Sequence, residues 1–279
     1  MKKRSYLFSA VIVLILMGVI ALYAQPASAV LLGCDNTGGN LFMINEASGT
    51  STFIGTMPQT MTECVYDNLN HRLYAQGSDG SFIFYTIDPT TGASLGSVGT
   101  AAAFNGMEFV SGTLYATAIT GSDGPSNLVT VDPLTGVLTT IGATGFGPIS
   151  GLAYDVAAGI MYGVTGGSAS GNLITINLST GAGTLVAATG LDKIGSIRFG
   201  SNGVLYGGVT GNTLLNPNFL ITINKTTGAV TPVGDTGFSI SGLALVIQIP
   251  GTAGSTIFPP FPAICGVPGA SFPCITLPD

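Results

Sequence analysis

Three charged residues stand in segments that are otherwise apolar, and they are the first candidates for chemistry. Glu63 precedes the segment CVYD, Glu108 lies within MEFV, and Arg198 lies within IRFG. Charges in such segments are expected to be buried, and a buried charge needs a partner. Two carboxylates at a fixed separation could also serve as the acid and base of a glycoside hydrolase. We therefore treat all three residues as candidate ligand-binding residues.

Two more carboxylates occur in matching loops, Ser78-Asp79-Gly80 and Ser122-Asp123-Gly124. Each loop offers a single carboxylate, whereas Ca²⁺ takes about six to eight oxygen ligands. A polar turn is the simpler interpretation, and we predict no metal site. Asp79 and Asp123 stay candidate ligand contacts, and they are further conceivable carboxylates for a hydrolase.

The sequence offers an enzyme little else. Its one histidine, His71, lies in the turn NLNH, so a Ser/His/Asp triad is not readily assembled. No Cys/His spacing suits a metal, and the Gly-rich stretch 163–171 lacks the helix and the lysine of a phosphate cradle. We predict no catalytic residue and no cofactor, and favour a non-enzymatic protein. A polysaccharide hydrolase or lyase that uses Glu63 and Glu108 is the alternative.

The elements that would position these residues repeat along the chain. A Ser/Thr-Gly turn recurs about every 45 residues, which is the length of one four-stranded propeller blade. Four strand motifs recur in step, and the clearest copy reads LAYD, MYGV, ITIN and TLVA between 152 and 187. Alternating apolar positions and frequent β-branched residues indicate strands. Turns of the form Asp-Pro-x-Thr-Gly, at 88–92 and 132–136, favour hairpins.

Five such repeats predict an all-β fold, a five-bladed β-propeller of four-stranded antiparallel blades over residues 30–249. The first repeat opens on the second strand of a blade, at 31–34, and the last ends on a first strand, at 243–246. Pairing this C-terminal strand with the N-terminal blade would close the ring and protect the sheet edges.

The alignment of the repeats places Glu108 and Arg198 at the same position of the strand nearest the propeller axis. One hypothesis is that both side chains reach into the central channel and interact there. The alternative is that each makes separate local hydrogen bonds. Glu63, at the start of another inner strand, is a third candidate, at the mouth of the channel.

The N-terminal residues 1–29 have the features of a signal peptide. Lys2, Lys3 and Arg4 precede an apolar run over 6–23, and Ala27-Ser28-Ala29 is a cleavage site of the A-x-A type. The pattern predicts export by a bacterial route to the periplasm or the outside, with no membrane span after cleavage. An uncleaved anchor is the alternative, because the run approaches the ~20 residues that cross a bilayer.

Residues 250–279 contain seven of the fifteen prolines and no repeat. We predict an extended C-terminal tail pinned by a disulfide between Cys265 and Cys274, as expected for an exported chain. Cys34 and Cys64 would then either pair or stay buried.

The charge of the exported chain limits its partners. Once the leader is removed, four cations remain against all thirteen acidic residues, and they are Arg72, Lys193, Arg198 and Lys225. Few scattered cations disfavour binding to nucleic acid, and an acidic surface is repelled by anionic membranes. An extracellular protein or a glycan is the expected partner, and we expect a monomer.

The motifs LITINxxTG, xTxIG, GLAYD and LYGV resemble a secreted bacterial β-propeller repeat of the form LYxIDPxTGxxTxIG…GLAFDP…LYG. The resemblance covers the whole exported chain except the tail. It implies the propeller fold and little about function, since proteins with this repeat are mostly uncharacterised. The blade count is also similar to that of tachylectin-type lectins, which implies a multivalent lectin as another alternative. No sugar-contacting residue carries over from that family.

Binding residues are expected on the loop face, which we define as the face carrying the loops between second and third strands and the connections between blades. The opposite, turn face carries the tight hairpin turns. Three blade connections contain a phenylalanine: Phe104, Phe146 and Phe238. They could form shallow pockets for a sugar or a peptide, but burial in the seams between blades is the favoured interpretation. The leading hypothesis is a secreted, non-enzymatic binding or structural module.

Overall fold

The computed structural model describes residues 28–119, 124–166, 171–210 and 218–248. These residues form twenty β-strands in five antiparallel, four-stranded sheets. The sheets are the blades of a five-bladed β-propeller, which confirms the predicted fold class.

Each blade contains four strands, which follow one another from the innermost to the outermost. Blade 1 contains β20 (Ile240–Gln248), β1 (Ser28–Asp35), β2 (Asn40–Ile44) and β3 (Ser51–Thr56). Blade 2 contains β4 (Met61–Asp67), β5 (Arg72–Gly77), β6 (Ile83–Ile87) and β7 (Ser94–Gly99). Blade 3 contains β8 (Phe104–Val110), β9 (Thr113–Ile119), β10 (Ser126–Val131) and β11 (Leu138–Ala143). Blade 4 contains β12 (Ile149–Asp155), β13 (Ile160–Thr165), β14 (Asn172–Ile176) and β15 (Gly183–Ala188). Blade 5 contains β16 (Ile194–Phe199), β17 (Leu205–Val209), β18 (Phe219–Ile223) and β19 (Val230–Asp235).

The first strand of every blade is the innermost. Each of these five strands contacts the first strand of the next blade, so together they surround a central channel. The fourth strands form the exposed rim, where every residue of β11, β15 and β19 is only partly buried or exposed. Charges on an inner strand are therefore held at the centre of the molecule.

The ring closes as the sequence predicts. The C-terminal strand β20 pairs antiparallel with β1, from Ser28↔Gln248 to Cys34↔Gly242. Because β1 begins at Ser28, the pairing includes Ser28 and Ala29, which cleavage after Ala29 would remove. Closure joins both ends of the propeller in one blade and leaves the inner edge of β1 covered.

Turn residues act as their chemistry predicts. The Asp88 carboxylate accepts the Thr90 N–H at 2.8 Å, and the Asp132 carboxylate accepts the Leu134 N–H at 2.9 Å. Asn177 and Asn224 do the same in the last two blades. The glycine that follows has a positive φ, 74° at Gly92 and 72° at Gly136, which glycine adopts without a Cβ clash.

Buried side chains form five clusters, one in each seam between neighbouring blades. Phe104 and Phe238 belong to the buried part of two clusters, and Phe146 packs against a third. Phe238 stacks on Phe42, with ring centroids 4.1 Å apart. The three phenylalanines therefore fill seams, which confirms the favoured interpretation.

A disulfide joins Cys34 of β1 to Cys64 of β4, with Cα atoms 6.5 Å apart, and so links blades 1 and 2. Cys265 and Cys274, the tail and most of the leader lie outside the described residues. Within the described ranges there is no helix long and apolar enough to cross a membrane.

Candidate functional site

The five inner strands align residue by residue when positions are counted from the first residue of each strand. In every one of them, the pairing with the second strand of the blade is irregular between positions one and four. Two positions of this alignment carry all the charge within the channel. The third position is occupied by Glu63, Gly106, Gly151, Ser196 and Gly242. The fifth is occupied by Val65, Glu108, Ala153, Arg198 and Ala244.

Glu63 stands at the position where three other blades have glycine, and hydrogen bonds hold its carboxylate. Its oxygens accept hydrogen bonds from Ser196 Oγ at 2.9 and 3.0 Å and from the Leu243 N–H at 3.2 Å. Blades 2 and 5, which carry Glu63 and Ser196, are not neighbours, so this contact spans the channel. The sequence predicts Glu63 at the channel mouth, whereas the structure places it inside, with no exposed surface.

The second layer of charge is an ion pair across the same channel. Arg198 Nη1 of blade 5 lies 2.5 Å from Glu108 Oε2 of blade 3. Arg198 also donates from Nε to the Leu243 carbonyl and from Nη2 to the Met107 carbonyl, both at 2.9 Å.

Glu108 accepts the N–H groups of Phe109 and Tyr154 at 2.9 and 3.0 Å. The two side chains thus interact directly, as one of the two hypotheses from the sequence predicts.

Burial dominates the protonation of both glutamates. Removal from water raises the pKa of the Glu63 carboxyl well above its usual range, against the attraction of Arg198. Burial also raises the pKa of Glu108, and the guanidinium of Arg198 opposes that effect. One arginine therefore acts on two buried carboxyls, and among the described residues Glu63 is the one of the two without a direct ion pair.

A cavity of about 530 Å³ opens on the turn face and reaches the ion pair. Its wall includes the sixth residue of every inner strand: Tyr66, Phe109, Tyr154, Phe199 and Leu245. Glu108 and Arg198 also line it, with only 12% and 5% of their side chains exposed. The cavity is therefore a cup with four aromatic side chains and a leucine in its wall, above a pair of charges that already neutralise each other.

The rim of this cavity carries a second ion pair and several apolar side chains. Lys225 Nζ lies 2.5 Å from Asp155 Oδ2 and 5.9 Å from the centre of the Phe199 ring. The hydrogen bond and the positive charge of Lys225 lower the pKa of Asp155. Val156, 84% exposed, and Ile247, 41% exposed, line the opening. Leu69, 76% exposed, follows the lining residue Asn68 in the sequence.

The loop face has a different character. Thr62, Asn105, Ser150 and Ser241 line a cavity of about 300 Å³ at that end of the channel. The hydroxyl of Ser150 donates to the Ile194 carbonyl of the next blade at 2.6 Å, and that of Ser241 donates to the Cys34 carbonyl at 3.1 Å. A wider groove of about 730 Å³ runs along blades 5 and 1, past Asp35 and Lys193. Several polar groups of the loop face are thus already used to join strands.

The remaining predicted residues lie apart from the channel. Asp79 is exposed in its loop and accepts the N–H of Ser81 at 2.9 Å and the Ser81 hydroxyl at 2.5 Å, as a polar turn does. These hydrogen bonds lower the pKa of Asp79. Asp123 lies outside the described residues. Within the described ranges, no group of three or more His, Cys, Asp or Glu side chains is arranged to hold a metal.

Glu108 and Arg198 lie together, as one hypothesis from the sequence predicts, but the cavity that they line opens on the turn face and not on the loop face, where a site was expected. The sequence signal for the turn-face cavity is a column of aromatic residues one position after Val65, Glu108, Ala153 and Arg198. Read down the repeats, that column is Tyr66, Phe109, Tyr154 and Phe199. Because tyrosine and phenylalanine there also fill seams, only the arrangement in space shows that they share one cavity.

Comparison with known proteins adds little to this geometry. No family model and no curated protein matches the sequence. A chain in a crystal structure of a nidogen/laminin complex is similar in shape, with a TM-score of 0.48 and 12% identity over 78% of this chain and 98% of that chain.

Proposed function

We propose that this protein is a secreted, non-enzymatic binding module, and that its partner inserts an apolar group into the turn-face cavity. The observation that carries this proposal is the combination of an aromatic wall with an exposed apolar rim at Val156 and Ile247. Ligand sites are concave and mostly apolar, with few polar groups, and clustered exposed apolar residues mark interaction surfaces. The Cys34–Cys64 disulfide agrees with an oxidising compartment.

The charges of the cavity favour binding over catalysis. A hydrolase of the glycosidase type needs two carboxyl groups beside the scissile bond. Glu63 is fully buried and is not among the residues that line the turn-face cavity. Both oxygens of Glu108 already accept hydrogen bonds from backbone N–H groups, and one also pairs with Arg198. A carboxylate held in this way is a structural group rather than an acid or base.

A peptide or protein partner fits the site better than a glycan. The lectin alternative depends on equivalent pockets around the ring, but Phe104 and Phe238 are buried in seams and Phe146 packs against a third seam. The turn-face cavity lies on the propeller axis and takes its wall from all five blades, so one apolar side chain or short segment would occupy it at a time.

The test is to screen the exported protein against a peptide library and a glycan array, with two matched variants. Val156→Asp places a charge on the cavity rim, whereas Leu134→Asp places one on a similarly exposed turn residue that does not line the cavity. We expect apolar peptides to bind, Val156→Asp to weaken them at least tenfold, and Leu134→Asp to leave them unchanged. Glycan binding or glycoside hydrolysis that is indifferent to Val156→Asp would overturn the proposal.

A further inference from the structure

The chain leaves the propeller at the rim of the turn-face cavity. The last strand, β20, ends at Gln248, and Ile247 is one of the lining residues. The segment 249–279 therefore begins at the opening of the apolar cup.

The sequence of this segment suits an apolar cavity. It has no charged residue before Asp279, and it includes the run FPPFP at 258–262. An apolar segment of that kind in an exported chain would expose a large apolar surface unless something covers it. Its closest apolar surface along the chain is the cup at which it begins.

The wall of the cavity has the chemistry that recognises proline-rich segments. Such segments dock on aromatic-lined grooves because their extended helix is already formed and costs little entropy on binding. Tyr66, Phe109, Tyr154 and Phe199 supply the aromatic surface.

The connection is long enough for the segment to turn back. Phe258 lies ten positions after Gln248, and at about 3.1 Å for each extended residue this stretch reaches roughly 30 Å. Gly251 and Gly254 lie in this stretch and permit a reversal of direction. A tethered segment acts at an effective concentration in the millimolar range, so weak intrinsic binding suffices.

We propose that residues 258–262 fold back and occupy the turn-face cavity as a tethered resident ligand, which an outside partner must displace. The inference rests on the proposed use of this cavity as a binding site, and it adds a means of regulation. Phe258 or Phe261 supplies the apolar anchor, and the prolines lie along the aromatic wall. A partner with a similar apolar sequence would compete for the same surface.

The direct test is to place a photoreactive benzoyl-phenylalanine at position 258 of the full-length exported chain. We expect crosslinks within one chain to peptides that contain Tyr154 or Phe199. Val156→Asp should lower the crosslinking yield several-fold, and Leu134→Asp should leave it unchanged. The inference would be overturned by crosslinks outside the cavity or between two chains. A crosslinking yield that Val156→Asp leaves unchanged would overturn it as well.

A second measurement separates this inference from the proposed function. In the full chain, Phe258→Ala/Phe261→Ala should raise the fluorescence of bound anilinonaphthalene sulfonate several-fold, because the emptied cup admits the dye. If the native chain binds the dye equally well and Val156→Asp abolishes binding in both chains, the segment does not occupy the cavity, but the cavity is a binding site. If neither chain binds the dye and no crosslink reaches the cavity, both proposals fail.

Discussion

The side chain of Arg198 joins several blades at the centre of the molecule. Its guanidinium contacts β8 through Glu108 and the Met107 carbonyl, and it contacts β20 through the Leu243 carbonyl. One side chain thus connects three blades across the channel. A buried ion pair adds little net stability compared with apolar residues, but removing one partner leaves an uncompensated buried charge.

We therefore expect Arg198→Met to lower the free energy of unfolding by about 3–5 kcal/mol, because it strands Glu108 in the channel. Arg198→Met/Glu108→Leu should recover much of that loss, since neither charge is then left alone. A double-mutant cycle compares the native protein, Arg198→Met, Glu108→Leu and the double variant. Their denaturant unfolding measures the coupling free energy between the two side chains.

The matched control is Arg72→Met, which removes an exposed arginine from the start of β5. Its effect should stay within about 0.5 kcal/mol. A double variant that is no more stable than Arg198→Met would contradict the role given to the pair.

Glu63 should make the protein less stable as the pH rises. Its carboxyl has a raised pKa in the folded protein, so the folded state binds more protons than the unfolded state above the ordinary value of about 4.5. In that window the free energy of unfolding falls with rising pH. Glu63→Gln should flatten this fall in melting temperatures between pH 5 and pH 8 at a matched ionic strength. Some slope will remain, because the pKa of Glu108 is raised as well.

Glu46→Gln is the control for this series, because Glu46 lies at the surface and accepts hydrogen bonds from Ser201 rather than from channel residues. Its pH profile should follow that of the native protein. Parallel profiles for all three proteins would show that Glu63 does not titrate in the window.

The position of Glu63 illustrates what sequence reasoning could reach at this scale. The repeats identify the inner strand and mark the residue as exceptional, since its counterparts are Gly106, Gly151, Ser196 and Gly242. Its depth could not be predicted, because it depends on the irregular pairing near the start of β4, which shifts the register there. The partner Ser196 lies in a blade that is not adjacent, and no local pattern links the two residues.

At the scale of strands, glycine sets the spacing of the channel. A Cβ on Gly151 would lie 2.5 Å from the Ile197 nitrogen, and one on Gly242 would lie 2.4 Å from the Cys64 nitrogen. Neighbouring inner strands therefore approach so closely that no side chain fits between their backbones. Glu63 and Ser196 occupy the same position in the other two blades, and their side chains are hydrogen bonded to each other.

We expect Gly151→Ala to destabilise the protein by about 1–3 kcal/mol, the usual cost of overpacking against atoms that cannot move freely. Gly96→Ala in the outer strand β7 is the comparison, because its Cβ would meet nothing within 4 Å. That change should stay within about 0.5 kcal/mol of the native protein. Thermal unfolding compares the two, and equal effects would mean that close strand approach is not what the inner glycine provides.

The strands themselves could be predicted almost completely, because alternation and turn residues are local signals. The Asp88 and Asp132 turns, for example, form as their sequence indicates. The turn-face cavity could not be predicted from the sequence, because its width depends on the distance of the turns at Asn68, Val156 and Ser201 from the propeller axis. That distance follows from the packing of five blades rather than from any one repeat.

For the whole molecule, closure of the ring is the central requirement. β20 contributes the inner strand of blade 1, packs against β4 and β16, and supplies the Leu243 groups that bind Glu63 and Arg198. The Cys34–Cys64 disulfide holds β1 against blade 2 from the other side. Without β20, the strands β1, β4, β16 and β17 lose a neighbour, and both layers of channel charge lose partners.

A chain that ends at residue 239 should therefore lose the cooperative unfolding transition and self-associate through its open edges. A chain that ends at residue 248 keeps all twenty strands and should remain folded and monomeric. Adding a synthetic peptide of residues 240–248 to the shorter chain should restore a cooperative transition, because the peptide can pair with β1 in the native register. Size-exclusion chromatography and thermal unfolding follow all three samples. A shorter chain that stays monomeric and unfolds within a few degrees of the longer one would mean that four blades and the disulfide hold the ring without the closing strand.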